Sequence, residues 1–597
     1  MAGESLDLFQ SMLNSEDKLA AVIASNWKEW YTAKNTHLAR VAEVKEYLYA
    51  TSTEETSNSS NEHSHKTNIP KITQIYDNLK ANYMSGLIPG PNWFVFEGED
   101  SSSITTEKRN KIEAYLRTKH RLSKFNNKLG EFIDDWLIDG NCFAGVTYKN
   151  ESHTLPDGKV VPGYKGPDVF RIAPNDIVFN PTASNFRSSP KIIRTVKSFG
   201  ELARDIQEKP ELKYEKSILD RASQLRAFSS GISVEDMTKF SQYSYDGFGS
   251  ITQYLKSGFV EILDFYGDIF DIENMTLYKN HVITVVDKLW VARNEPIDTY
   301  NGYPNIFHAG YRKRADNLWH MGPLANLVGM QYKINHLENA RADGFDEMLM
   351  PDRVIVGDVE DVIEDETGRK TYYISSERGG VSNLPPDQTV LTADMQIRET
   401  EEKMELFAGA PREGVGVRSP GEKTKFEVST LENSRGRPYQ YKLAEFESQF
   451  LEDILNSQIA LSRKYLLLET DTARVDDPNS GVKLFIDISS EDLVANGQLR
   501  AQGARHYAKQ AQLAQSLQMF SQIAAQDPEL QQHFPTRRLA KLWEDLLEFS
   551  TFELVEEYGR IPERLAAQRL MAVAQQKLAE EQATPVDDLS EPEDINE

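Results

Sequence analysis

The sequence has little cysteine, no excess of basic residues and no long apolar run. A single cysteine, Cys142, excludes an intramolecular disulfide framework and suits a reducing compartment. The 67 Lys and Arg residues are outnumbered by 92 Asp and Glu residues, for a formal net charge of −25. This balance argues against a nonspecific nucleic-acid coat, which needs a large basic excess to neutralise phosphates.

Membrane and export signals are also missing. No stretch of about 18 apolar residues occurs, so we expect no direct membrane insertion. The N-terminal residues have no basic region before their short apolar stretch, and we therefore expect no secretory signal. Together these absences predict a soluble intracellular protein.

What the sequence does contain is enough apolar material for ordered cores. At 597 residues the chain is too long for one core, so two to four domains are expected. The apolar periodicity predicts an α+β fold that is mainly helical. Helices are predicted for residues 1–50, 72–87 and 123–138 and for most of the chain after Pro304, and strands for 142–179 and 259–293.

Residues 416–424, with the sequence GVRSPGEKT, are reminiscent of a phosphate-binding loop. In that motif a lysine directly follows the second glycine, but here Glu422 separates Gly421 from Lys423 and would repel phosphate. No apolar strand is predicted before the loop. A P-loop-like NTPase therefore stays only as an alternative reading.

No other group of residues predicts catalysis, a metal site or a cofactor. His63 and His65 lie near Glu62 in a polar stretch, for which a solvated loop is the expected structure. The carboxylates of 358–366 lack the glycine and ligand spacing of a calcium loop, which favours a solvated acidic turn or a partner-binding surface. The apolar flanks of Cys142 predict a buried strand cysteine rather than a nucleophile.

The order of the elements and several local phrases resemble the portal (head-to-tail connector) proteins of tailed double-stranded DNA bacteriophages, particularly the short-tailed type. The resemblance covers about residues 66–470. It is carried by KTNIPKITQIYDNLKANYMSGLIPGPNWF (66–94), DDWLIDGNCFAGVTY (134–148), GPDVFRIAPNDIVFNPTA (166–183), FVEILDFYGDIFD (259–271), VITVVDK (282–288), NLWHMGPLANLVGMQYKINHLENARADGFDEMLMPDRVIV (317–356) and GEKTKFEVSTLENSRG (421–436).

The resemblance implies the phage portal fold, with wing, stem, clip and crown regions. Along the chain these would be N-terminal helices and a polar loop (1–68), a mixed wing (69–321), a first stem helix (322–348), a clip (349–392), a second stem helix (393–409), a channel loop (410–425), a long kinked wing helix and strand (426–490), crown helices (491–584) and an acidic disordered tail (585–597).

The function implied by the resemblance is structural and not enzymatic. The chain would form a homo-oligomeric ring, a dodecamer, at one capsid vertex of the virion after assembly in the host cytoplasm. Double-stranded DNA would pass through the ring during packaging and ejection. Its partners would be the major capsid protein, terminase, tail adaptor proteins and scaffolding or internal core proteins, and the ring would nucleate capsid assembly. No cofactor or metal is implied, and a non-ring adaptor or scaffold of another assembly is the second alternative.

The acidic composition agrees with such a conduit, because like-charged walls and a polyanion repel each other. Two sets of candidate site residues follow. The exposed charges of the clip are expected to bind partner proteins: Glu360, Asp361, Glu364, Asp365, Glu366, Arg369 and Lys370. The basic residues of the channel loop are expected either to touch passing phosphates or to brace the ring against carboxylates of neighbouring subunits: Arg412, Arg418 and Lys423.

Overall fold

The computed structural model gives a mixed fold, 52% helical and 29% strand. It describes residues 15–49, 64–90, 93–98, 103–154, 160–208, 213–228, 259–271, 275–349, 353–356, 359–364, 370–374, 380–383, 392–409, 437–467, 470–476 and 483–503. The prediction of a mainly helical fold is wrong, because several antiparallel sheets are present. The strands extend through polar residues whose pairing partners lie on other strands, and no local apolar pattern marks such residues.

The helices account for about half of the described chain. They are α1 (Ser15–Tyr49), α2 (Lys71–Leu87), α3 (Ser103–Leu122), α4 (Phe125–Ile138), α5 (Phe199–Glu208), α6 (Ile218–Phe228), α7 (Val328–Leu349), α8 (Ala393–Ala408), α9 (Arg437–Phe446) and α10 (Glu452–Tyr465). A π-helical segment, Glu447–Leu451, joins α9 to α10. No helix among these residues is both long and apolar enough to cross a membrane.

The strands are mostly short, apart from two long hairpins. They are β1 (Phe94–Gly98), β2 (Asn141–Thr154), β3 (Val160–Ile172), β4 (Ile177–Phe179), β5 (Lys191–Ser198), β6 (Phe259–Asp271), β7 (Thr276–Val286), β8 (Trp290–Pro296), β9 (Thr299–Tyr300), β10 (Tyr303–Pro304), β11 (Ile306–Gly310), β12 (Arg353–Val356), β13 (Val359–Glu364), β14 (Lys370–Ile374), β15 (Gly380–Asn383), β16 (Asp471–Asp476), β17 (Lys483–Ile488) and β18 (Gly497–Ala501).

The chain divides into two compact units. The first comprises Met1–Val475 and Phe485–His506, and the second comprises Asp476–Leu484 and Tyr507–Glu597. All features discussed below belong to the first unit. The regions expected as crown helices beyond residue 503 and as an acidic tail lie outside the described residues.

The largest sheet has the strand order β4-β5-β6-β7-β8 and is antiparallel throughout. Its side chains alternate between two covered faces, as a pleated strand requires. Val260 and Ile262 cluster with Leu202 of α5 and Ile218 of α6. On the opposite face, residues such as Leu263 cluster with the first half of α1. The strands predicted for 259–293 are therefore confirmed, as three adjacent antiparallel strands that reach one edge of this sheet.

Helix α1 connects this sheet to the main core. Its first half contributes Ile23 and Trp27 to the sheet face, and its second half contributes Leu48 to the main cluster. Lys34 lies between them, fully buried, with its ammonium 4.5 Å from the centroid of the Trp319 ring. Burial lowers the pKa of Lys34 to about 7. Its ammonium donates to the backbone carbonyls that precede and begin β4.

The end of α4 meets another chain segment backbone to backbone. Gly140 has φ +74°, and a Cβ on it would lie 2.2 Å from the backbone nitrogen of Gly322. The next residue, Asn141, is fully buried and uses its whole side-chain amide: it donates to the carbonyls of Asp139 (3.1 Å) and His320 (2.9 Å). Its Oδ1 accepts from the His320 backbone and from the His308 ring, both at 3.0 Å.

This junction yields a stability prediction. We expect Gly140→Ala to lower the free energy of unfolding by more than about 3 kcal/mol, because the added methyl group displaces the backbone of Gly322. Gly302→Ala is the matched control, since Gly302 also has a positive φ, +79°, but no neighbour within 4 Å. That variant should cost only about 1 kcal/mol, from left-handed backbone strain. Urea unfolding of both variants measures the difference, and equal losses would contradict the close approach.

Candidate functional site

A helix, a β insert and a second helix form one unit of the chain. Helices α7 and α8 pack against each other, with an ion pair between Arg341 and Asp394 near the insert. Between them, β12 pairs antiparallel with β15, and β13 pairs antiparallel with β14. One strand pair is therefore nested inside the other in sequence, so the insert leaves the helix pair and returns to it.

A buried ion pair fixes α8 to α2. Lys71 Nζ lies 2.6 Å from Glu405 Oε1, and the two side chains are 6% and 11% exposed. Such a pair contributes little net stability relative to apolar residues, but removing one partner leaves a buried charge uncompensated. The Lys71–Glu405 ion pair therefore specifies the position of α8 relative to α2.

An extended segment, residues 64–70, runs along α7 and leads into α2, and we call this segment together with the first two residues of α2 the strap (64–72). Four polar side chains at four-residue steps on α7 accept hydrogen bonds from its backbone, and we call them the polar ladder: Gln331, Asn335, Asn339 and Asp343. Asn339 Oδ1 accepts from the Thr67 amide at 2.7 Å, and Asn335 Oδ1 accepts from the Ile69 amide at 3.2 Å.

Both ends of the ladder follow the same pattern. Gln331 Oε1 accepts from the backbone amide of Ile72 at 3.1 Å. At the other end, the Asp343 carboxylate accepts from the amides of Ser64 and His65, each at 3.1 Å. Four helical residues rise about 6 Å and two extended residues span about 6.6 Å, so the three ladder residues nearest the insert reach alternate strap residues, 65, 67 and 69. Gln331 instead reaches Ile72, in the first turn of α2.

The strap begins with an ionic contact. His65 Nε2 lies 2.7 Å from the Asp346 carboxylate, and this hydrogen bond raises the pKa of His65 above its usual value. His65 was expected in a solvated loop, whereas here it contacts the last turns of α7. His63 and Glu62 lie outside the described residues. Within the described part of the chain, no three metal-ligating side chains cluster.

The helix pair has an acidic and partly apolar surface. Helix α7 carries two basic and four acidic residues, and α8 carries two basic and five acidic residues. Large apolar side chains are nevertheless exposed on both helices: Tyr332, Phe345 and Leu349 on α7, and Met395, Leu406 and Phe407 on α8.

The predicted clip residues lie partly in the insert. Glu360, Asp361 and Glu364 belong to β13, and Lys370 begins β14 opposite Glu364. The other predicted residues of this set lie outside the described residues: Asp365, Glu366 and Arg369.

The predicted channel-loop residues Arg412, Arg418 and Lys423 also lie outside the described residues, as does the phosphate-loop-like stretch 416–424. The chain leading to them is described as far as Gly409, whose φ of 74° closes α8 with a left-handed residue. The last described element before that stretch is the helix α8, whereas the nucleotide-binding motif requires a strand.

The polar ladder and the buried ion pair were not predicted. The ladder does leave a signal in the sequence, because Gln, Asn, Asn and Asp recur every four residues in QYKINHLENARAD (331–343). Such a stripe on an otherwise core-facing helix indicates an ordered polar partner. The Lys71–Glu405 pair joins residues too far apart in sequence to leave any local pattern.

No family model matches the chain, and no curated protein matches it. What the chain does is therefore inferred from the sequence resemblance and from the geometry of the helix pair, the insert and the strap.

The ladder yields a prediction about local opening. Asn339→Ala leaves the amide of Thr67 without its side-chain acceptor, and losing such a hydrogen bond costs about 0.5–1.5 kcal/mol. We expect hydrogen exchange of peptides covering 64–72 to accelerate by about two- to tenfold. Lys333→Ala, an exposed position of the same helix, should leave exchange unchanged. Equal exchange in the two variants would show that the ladder does not hold the strap.

Proposed function

We propose that this chain is the subunit of a portal ring, a homo-oligomer through which double-stranded DNA enters and leaves a phage capsid. The ring stands at one capsid vertex and has no enzymatic activity of its own. Its partners are the major capsid protein, scaffolding or internal core proteins, terminase during packaging, and tail adaptor proteins afterwards. The proposal starts from the sequence resemblance.

The observation that carries the proposal is the insert between α7 and α8. The nested strand pairs lie between the end of α7 and the start of α8, so the insert stands at one end of the helix pair. A docking partner can bind such an insert without disturbing the cores, whose residues come from other elements. The region expected to be the clip therefore has a geometry suited to partner binding.

The surface of the helix pair supports a ring. Exposed Leu406 and Phe407, 67% and 60% accessible, would be sheltered from water against a second copy of the chain. The acidic excess on both helices would repel DNA phosphates, so a channel lined by them would let DNA slide. Subunit contacts and DNA passage thus use different side chains of the same two helices.

Two other functions remain as alternatives. A non-ring adaptor would use the same insert for docking but would not need self-association. An NTPase would need residues 416–424 to cradle phosphates, and Glu422, which separates Gly421 from Lys423, disfavours this. Ring formation separates the proposal from the adaptor, and nucleotide binding separates it from the NTPase.

The test is the mass of the purified full chain, by native mass spectrometry and negative-stain imaging. We expect a closed ring of many subunits. Phe407→Ser should shift the population to smaller species, with association weakened about tenfold or more, because burying a phenyl ring contributes about 1.5–3 kcal/mol. Phe270→Ser, at a phenylalanine of β6 that is 49% exposed, should leave the ring intact. A monomeric wild-type chain would overturn the proposal.

The insert carries a second prediction. Deleting 359–374 removes the paired strands β13 and β14 while leaving the β12–β15 pair to close the helix pair. We expect rings of normal mass that no longer bind terminase or tail adaptors in pull-down assays. Normal DNA packaging by the deletion variant would contradict the assignment of partner binding to this insert.

The channel-loop hypothesis is tested by the double variant Arg412→Ala with Arg418→Ala. If these side chains touch passing phosphates, rings assemble but packaged DNA leaks or packaging changes. If they brace the ring against neighbouring carboxylates, rings fail to assemble. Normal assembly together with normal DNA retention would contradict both roles.

A further inference from the structure

A second feature of the first unit is a pocket of about 290 Å³ beside strand β11. Three segments enclose it: the loop between β4 and β5, the strand β11 with the residues that follow it, and the helix around the π segment. Its charged and hydrogen-bonding side chains include Ser184, Arg187, Lys313, Arg314, His320 and Asp453. Three cations thus face one carboxylate in a chain whose net charge is strongly negative.

The carboxylates near the pocket do not cancel its basic residues. Arg187 pairs with Asp453 at 3.2 Å, and Arg314 pairs with Asp316 at 2.9 Å. Lys313 donates to the Gln449 side-chain oxygen and shares a carboxylate with another lysine: Glu445 lies 3.0 Å from Lys313 and also 2.9 Å from Lys442. Two lysines thus meet one carboxylate, which leaves a basic surplus at the pocket.

Arg187 also has an unused donor. Its Nε is buried and has no hydrogen-bond partner among the described residues. The guanidinium lies 5.3 Å from the centroid of Phe307 and 5.5 Å from that of Tyr300, and these rings hold it in place by cation–π attraction. A fixed guanidinium with a free N–H is preorganised to bind an anion.

The buried histidine of the pocket adds a donor. His320 Nδ1 accepts from the backbone amide of Arg314 at 3.2 Å. Burial first, and then the charge of Lys313, lower the pKa of His320 to about 4. The ring is therefore neutral at pH 7, and because Nδ1 is an acceptor the proton resides on Nε2.

We propose that this pocket binds a phosphate group. Fixed guanidinium and ammonium groups with additional N–H donors are the chemistry that recognises phosphate oxygens, and the pocket is roomy enough for one phosphate or a pyrophosphate. The sequence carries a signal for it, because Arg312, Lys313 and Arg314 form the only run of three consecutive basic residues in the chain. The inference goes beyond the proposed ring and does not depend on subunit assembly. Free phosphate compounds and the DNA backbone offer the same group.

Calorimetric titration of the full chain with pyrophosphate tests the pocket directly. We expect saturable binding at one site per chain, weakened about tenfold or more by Lys313→Gln and by Arg314→Gln, since a charge-assisted hydrogen bond contributes about 1.5–3 kcal/mol. Arg312→Gln is the matched control: it removes the same charge from the same exposed run, but Arg312 does not line the pocket. It should bind like the wild type.

The fold of these variants is checked by thermal unfolding without ligand. The Arg314 side chain is 40% exposed and that of Lys313 is 38% exposed, so losing their ion pairs should cost little stability. Bound pyrophosphate should also raise the pKa of His320, measured by NMR, because a nearby anion favours the imidazolium form.

A short DNA duplex distinguishes the two sources of the phosphate group. If the duplex displaces pyrophosphate and Arg314→Gln weakens duplex binding, the pocket takes the DNA backbone. If pyrophosphate binds and the duplex does not compete, the pocket takes free phosphate compounds. Absence of saturable binding by either probe, or an equal loss in Arg312→Gln, would overturn the inference and leave the question of ring assembly untouched.

Discussion

The backbone amides of an extended segment cannot be satisfied within that segment, and the strap exposes this constraint most clearly. Residues 64–72 pack on α7 without a neighbouring strand, so the side chains of the polar ladder provide the acceptors that a sheet would otherwise supply. The strap leads directly into α2, and Lys71 in the first turn of α2 fixes α8 through Glu405. The row of hydrogen bonds thus places α7 against the strap, and the ion pair places α8 against α2.

Elements with strong local signals were predictable from the sequence. The helices expected at 72–87 and 123–138 are confirmed as α2 and α4 within two residues, because their apolar residues recur at helical spacing. Gly140 ends α4, and Cys142 is a buried strand cysteine, as predicted. The extent of the sheets was not predictable: in β2, the polar run from Lys149 to Thr154 has no apolar alternation and is held by pairing with β3.

The candidate site likewise has a part that the sequence predicts and a part that it does not. A β insert between two helices could be predicted because turn residues and β-branched residues interrupt a helical pattern. Which side chains hold that unit could not, since Lys71 and Glu405 recognise each other only after the chain has folded. The burial of basic residues also cannot be read from the composition. Lys34 and Lys191 are fully buried against backbone carbonyls, and burial lowers the pKa of each to about 7. Among the described residues, buried acidic side chains outnumber buried basic ones, so the net charge read from the sequence does not transfer directly to the exposed surface.

The strap also determines how a force on the insert is transmitted to the helices beside it. Its first contacts, to Asp343 and Asp346, lie in the last two turns of α7, immediately before the insert begins. Its last contact, to Gln331, lies near the start of the same helix, beside the main core. A partner that pulls on the insert acts on a helix held along most of its length. The force on α7 passes to α2 through the strap. From Lys71 of α2 it passes to α8 through the ion pair with Glu405. Movement of the insert relative to the core therefore requires breaking the ladder, and the free-energy cost of losing its hydrogen bonds favours a fixed helix pair.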